Sequence, residues 1–253
     1  GEHTDLETGF AIQKFMSHFG KDNIECRTDN QSILPSLDSY RFNTPIADIE
    51  DADLVILCGT NPKIESPIIN HKILKSYNAG TEVFNIGDDI SLNYPTHYLG
   101  DSLNELDNDL LKKYLKKAIN PILIVGSGFL NQFTSDNTLK SLFSFASKNK
   151  IISDDKNNLN FLNPYASRVG QLLLGNTSSD NCQPYTKLKK KGFDTILSFS
   201  SEHIADSTFK ECFRVYFGHH GDEGAMNADI VLPTPLYTEK NGIFINIEGR
   251  PQE

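Results

Sequence analysis

Two short apolar runs, each ended by a glycine, constrain this chain more than anything else in it. Residues 52–67 read ADLVILCGTNPKIESP, and residues 121–128 read PILIVGSG. Neither run alternates apolar with polar residues, and each is too short for a buried helix, so each reads as a strand covered on both faces. After Leu54–Cys58, the Gly59, Thr60, Asn61, Pro62 turn leads to Ser66 and Pro67. These start a helix through Tyr77, with Gly80 beyond its end. TEVFNIG at 81–87 supplies the next strand. Strand–helix–strand order predicts an open α/β sheet, whose ligands sit beyond the carboxyl ends of the strands.

The rest of the chain repeats the alternation. In HTDLETGFAIQKFMSHFG (3–20), Thr4 and Glu7 form a capping-box pattern. Ile12, Phe15, Met16 and Phe19 recur at helical spacing, and Gly20 suits a C-terminal cap. Residues 101–119 predict one helix capped by Ser102 and Glu105. PILIVGSG then opens a second half, with a helix near TLKSLFSFASKNK and strands in FDTILSFSS, FRVYFGHHG and ADIVLPTP. The polar stretch SDDKNNLNFLNP reads as a flexible connection. These elements predict two Rossmann-like α/β lobes with mostly parallel sheets, 1–119 and 120–253.

Composition narrows the function classes. With 24 Lys and Arg against 33 Asp and Glu, the 253-residue chain carries a formal charge of −9. That balance disfavours nucleic acid or an anionic membrane surface as partner. The clusters LLKKYLKKA and KLKKKG are short and read as solvated surface. No stretch reaches the ~20 apolar residues that cross a bilayer, so no direct membrane insertion is expected. The start at Gly1 shows no signal-peptide pattern and reads as a processed product or an excised segment. Cys26, Cys58, Cys182 and Cys212 show no CxxC or metal-ligand spacing, which suits free thiols in a reducing compartment.

Three segments carry a resemblance: ADLVILCGTNPKIESPIINHKI, VGSGFL, and YFGHHGDEGAMNADIVLPTPLYTEKNGIFINIEGRPQE. In this order they resemble the molybdopterin-oxidoreductase superfamily. Within it they are similar to the C-terminal region of the large iron–sulfur subunits of respiratory complex I, as is YPTHYLGDS at 94–102. The resemblance implies the formate dehydrogenase-like fold without its cofactor, and an architectural role in the complex I peripheral arm. It implies other peripheral-arm subunits as partners, together with the N-terminal iron–sulfur part of the same subunit. The clusters themselves are expected in that N-terminal region, none of which is present here. The implied location is the matrix side of the mitochondrial inner membrane, or the cytoplasmic face of a bacterial membrane. The rival reading is a fragment of an active molybdopterin-dependent, formate dehydrogenase-like oxidoreductase.

The resemblance also places Gly59, Thr60, Asn61 and Pro62, with Gly126 and Gly128, at a former pterin-binding edge. Two departures argue against a bound pterin. FNIGDDISLNYP carries Asp88 and Asp89, which repel phosphate, where active relatives carry an arginine-containing element. Cys26 falls near the position of the relatives' metal ligand, but CRTDNQSILPSL lacks the surrounding glycines, so it reads as an ordinary partly buried thiol. Gly126 and Gly128 also suggest a nicotinamide fingerprint, but its last glycine position is Asn131.

In GHHGDEGA, adjacent His219 and His220 point to opposite faces of a strand and lack zinc spacing, so no catalytic or metal role is assigned. Gly218, Gly221 and Gly224 predict a tight turn with close backbone approach, with Gly221 sensitive to substitution if its φ is positive, and Asp222 accepting loop amides or Arg250. Glu239, Lys240, Glu248 and Arg250 match family positions near the cofactor cleft and are expected to pair with one another.

Overall fold

A computed structural model describes residues 1, 3–19, 23–29, 31–132, 136–177, 192–201 and 207–253. Gly20, Cys182 and most of KLKKKG lie outside the described residues. In chain order the first half contains α1 (Leu6–Met16), β1 (Leu54–Cys58), α2 (Pro62–Glu65), α3 (Pro67–Asn78), β2 (Glu82–Ile86), β3 (His97–Gly100) and α4 (Asp109–Leu115). There follow β4 (Pro121–Val125), α5 (Ser127–Leu130), α6 (Asp136–Lys148), β5 (Leu159–Phe161) and α7 (Arg168–Leu173). The chain continues with β6 (Thr195–Phe199), β7 (Phe213–Gly218), α8 (Glu223–Met226), β8 (Ile230–Pro233), β9 (Phe244–Ile245) and β10 (Pro251–Gln252). None of the described helices is long and apolar enough to cross a membrane.

The chain divides into two compact units, Gln31–Pro164 and a discontinuous one made of Gly1–Asn30 with Tyr165–Glu253. This division differs from the one expected at 119/120. β1 and β4 pair directly, Leu54 with Pro121 through to Cys58 with Val125, so that boundary would cut a sheet at its centre. The two runs that share a buried-strand signature are neighbours in one sheet rather than the heads of separate lobes.

In the unit 31–164, five parallel strands run in the order β3-β2-β1-β4-β5. All five residues of β1 and of β4 are buried, as the unalternated runs require. Burying one such side chain contributes about 1.5–3 kcal/mol. Phe84, Ile86, Leu111, Leu139, Leu142 and Phe161 complete the core from β2, α4, α6 and β5. The helix predicted over 101–119 is instead a 3₁₀ turn, Leu103–Asp107, followed by α4. Ser102 accepts the Asn104 amide and Asn108 accepts that of Leu110, so each piece has its own cap.

The stretch read as a flexible connection holds β5. Asn160 is fully buried there and accepts the Thr44 amide at 2.7 Å, while its amide group donates to Thr44 Oγ1 at 2.9 Å and Asn158 O at 3.0 Å. A polar residue is tolerated inside a sheet when its hydrogen bonds are met.

In the discontinuous unit, β6-β7-β8 form a parallel sheet and β9-β10 an antiparallel pair. Asp5, rather than Thr4, caps α1, accepting the Thr8 amide at 2.7 Å. Asp5 also accepts from Lys240 Nζ at 2.6 Å, and Gln171 of α7 donates to Thr4 O and Asp5 O. The aromatic stripe of α1 is not core: Phe10, Phe15 and Phe19 are exposed. So are Ile230, Val231 and Leu232 of β8, the edge strand of its sheet.

Candidate functional site at the sheet switch point

The strand order reverses between β1 and β4, because the chain leaves β1 toward β2 on one side and returns to β4 on the other. Loops diverge at such a point and leave a crevice beyond the carboxyl ends of the strands. A cleft of about 310 Å³ lies there, lined by the turn after β1, the end of β2, Asp101 and the start of α5. Gly59, Thr60, Asn61 and Gly128 line it. Gly126 adjoins Thr60, and Pro62 opens α2 as a buried first residue.

The glycines are required by contacts between the two turns. Gly59 has φ +60° and donates to Ile86 O at 2.8 Å. Gly126 donates to Cys58 O and Gly128 to Gly59 O, both at 2.9 Å. A Cβ on Gly126 would overlap Thr60 Cβ and lie 2.7 Å from Gly59 O. One on Gly128 would also lie 2.7 Å from Gly59 O, and one on Gly59 would lie 2.7 Å from Phe129 N. The space a side chain would fill is therefore occupied by the opposite turn.

The lining does not fit a pterin dinucleotide. Its charged groups are Glu65, Asp88 and Asp101, with no Lys, Arg or His among the described lining residues. A pyrophosphate there would meet like charge without a compensating cation. The Gly128 amide, at the start of α5, is already committed to Gly59 O.

Glu65, Asp101 and Gln132 did not emerge from the sequence as site residues. Glu65 Oε1 reaches back to accept the Asn61 amide at 2.6 Å. The Asn-Pro-x-x-Glu spacing resembles a capping box displaced by one residue, and was the available signal. Asp101 arrives by tertiary folding alone.

The remaining sequence-derived positions fall in the discontinuous unit. Cys26 is partly buried, and burial, reinforced by Glu25, pushes its thiol up to about 11. Such a thiol is a poor nucleophile and a poor metal ligand at neutral pH. No group of three or more His, Cys, Asp or Glu among the described residues is arranged to hold a metal ion. Gly218 and Gly224 pack against the Tyr216 ring, leaving no room for a Cβ on either. Gly221 is the exception: its φ is not positive and nothing lies within 4 Å of where its Cβ would be.

Asp222 accepts the Ala225 amide at 2.9 Å and the Tyr216 hydroxyl, which fixes the loop to the ring. His219 and His220 meet edge to face at 4.7 Å, and burial and then the neighbouring His220 lower the His219 pKa. Three of the last four charged residues have described partners. Lys240 binds Asp5, Glu239 accepts the Leu236 amide, and Glu248 accepts from the Asn246 side chain.

Comparison with known proteins agrees with this architecture. A family model described as molybdopterin oxidoreductase matches residues 1–253. The NADH-ubiquinone oxidoreductase 75 kDa subunit of Reclinomonas americana is 34% identical over 100% of this chain and 39% of the relative. The mitochondrial NADH-ubiquinone oxidoreductase 78 kDa subunit of Candida albicans is 34% identical over 100% of the chain and 35% of the relative. The mitochondrial NADH dehydrogenase [ubiquinone] iron-sulfur protein 1 of Solanum tuberosum is 32% identical, over 100% and 34%. The chain thus spans little more than a third of the length of these curated relatives. A chain of the formyltransferase/hydrolase complex of Methylorubrum extorquens, solved with methylofuran, shares the fold at TM-score 0.55 and 11% identity, over 83% of this chain and 70% of that one. With the model matching from end to end, the chain belongs to the molybdopterin oxidoreductase family, and its homologues are the large iron–sulfur subunits of complex I.

Proposed function

We propose that this chain is a non-catalytic, architectural part of the peripheral arm of NADH:ubiquinone oxidoreductase. The observation that carries the reading is the switch-point cleft, whose glycines pack on the opposing turn and whose charged lining is acidic. Similarity to complex I subunits along the whole chain supports the same assignment. On this reading electrons pass from NADH to ubiquinone through iron–sulfur clusters held elsewhere in the subunit, and this segment supports that part and neighbouring peripheral-arm subunits. It would lie peripherally at the matrix side of the mitochondrial inner membrane, or on the corresponding bacterial face.

Native purification with identification of co-migrating proteins tests the assignment. Complex I subunits are expected in the same band. The rival, an active molybdopterin-dependent oxidoreductase, predicts instead stoichiometric molybdenum or tungsten in the purified protein and a pterin fluorophore after oxidation.

A further inference from the structure

Three residues that line the switch-point cleft each hold a buried side-chain oxygen with no hydrogen-bond partner among the described residues: Thr60 Oγ1, Asn61 Oδ1 and Glu65 Oε2. Thr60 and Asn61 belong to the turn after β1 and Glu65 ends α2, and all three residues line the cleft. Thr60 is only 5% exposed. Leaving such an atom unsatisfied is costly, and several together call for an explanation, of which a bound group is one.

The chemistry of these atoms selects that ligand. Asn61 Oδ1 and Glu65 Oε2 only accept hydrogen bonds, and the Thr60 hydroxyl oxygen also accepts. Asp88 and Asp101 add two carboxylates, and Ile90 and Phe129 supply apolar wall. Phosphate and carboxylate bring only more acceptors and negative charge. Alkylammonium carries three donors and guanidinium five, with positive charge and no acceptor. We infer that the cleft binds a donor-rich organic cation, an alkylammonium or alkylguanidinium group, on Thr60, Asn61 and Glu65. The alkyl stem rests on the apolar wall while Asp88 and Asp101 draw the cation in. A free polyamine-like molecule and a Lys or Arg side chain from a neighbouring protein present the same group. The inference stands on the cleft alone and does not depend on which complex the chain enters.

Amide chemical shifts of the isotope-labelled chain, titrated with agmatine and with methylguanidinium, test it. Saturable shifts are expected at Thr60, Asn61 and Gly128, weakening as salt is raised. Glu65→Gln keeps the oxygen that accepts the Asn61 amide but removes the charge, and should weaken binding about tenfold or more, as loss of a charge-assisted hydrogen bond does. Wild-type affinity in Glu65→Gln with an unchanged spectrum elsewhere would overturn the inference. So would an absence of saturable shifts with both cations, or the same shifts produced by GMP or by magnesium chloride. Repeating the agmatine titration on the native assembly separates the sources. Lost binding there identifies a partner's side chain in the cleft, and retained binding identifies a free cation.

Discussion

The amide of Gly128 donates to the carbonyl of Gly59 across 2.9 Å, fastening the turn after β4 to the turn after β1. A glycine turn that grips a nucleotide leaves its amides free for phosphate. Here one of those amides closes a contact within the protein.

That contact makes Gly126 intolerant of substitution. Gly126→Val should destabilise the chain by about 1–3 kcal/mol, the usual cost of overpacking, because its Cβ would overlap Thr60. Gly221→Ala stands in open space at ordinary φ and should stay within about 0.5 kcal/mol of the parent, as surface changes do. Urea midpoints of the two variants check this pair, and equal losses would refute the packing argument.

Asn160 should behave as a structural core residue despite its polarity. Asn160→Leu strands the Thr44 amide, and is expected to cost about 1–3 kcal/mol for the buried group left unpaired. Thermal unfolding should show the loss, and a variant melting with the parent would remove β5 from the cooperative core.

The Cys26 thiol, held at about 11 by burial and Glu25, should react slowly. At pH 8 its thiolate fraction is roughly a hundredfold below that of an ordinary cysteine. Iodoacetamide labelling followed by peptide mass spectrometry should leave Cys26 unmodified in the folded chain and modified in urea. Rapid native labelling would show an activated thiol.

Burial raises the Asp5 pKa, but hydrogen bonds from Lys240 and Thr8 outweigh it, leaving the pKa below the ordinary value. A depressed folded pKa means the unfolded chain binds the proton more readily. The stabilisation is therefore complete above the unfolded value near pH 4 and is lost as pH falls through the folded one. Lys240→Met should lower the melting temperature at pH 6, and the difference from the parent should shrink below about pH 4. A difference constant with pH would place the effect of Lys240 outside its pairing with Asp5.

What the sequence disclosed depended on whether a residue's role is local. β1, β2 and β4 were legible because runs such as LVILC and PILIV require burial on both faces. β5 was not, because LNF between asparagines looks like loop, and Asn160 is satisfied by Thr44, a residue 116 positions away. The α1 stripe had the right period but the wrong environment: Phe15 and Phe19 are 53% and 66% exposed. In the cleft, the glycines declared themselves through their position after apolar runs. Glu65 carried only the weak Asn-Pro-x-x-Glu spacing, and Asp101 carried no mark, since it becomes part of the site only through what folds around it.

The discontinuous unit sets an order of events during synthesis. The ribosome releases α1 long before α7 and Lys240, the segments that meet its N-terminal end. At roughly 5–20 residues per second, the intervening stretch occupies on the order of ten seconds. Through that interval Leu6 and Gly9 lack the α7 residues they pack against, while 31–164 can already close its own sheet. The nascent chain therefore passes through a stage with one finished unit and one helix still waiting for its partners. Assembly of the discontinuous unit waits until residues on both sides of 31–164 have been made.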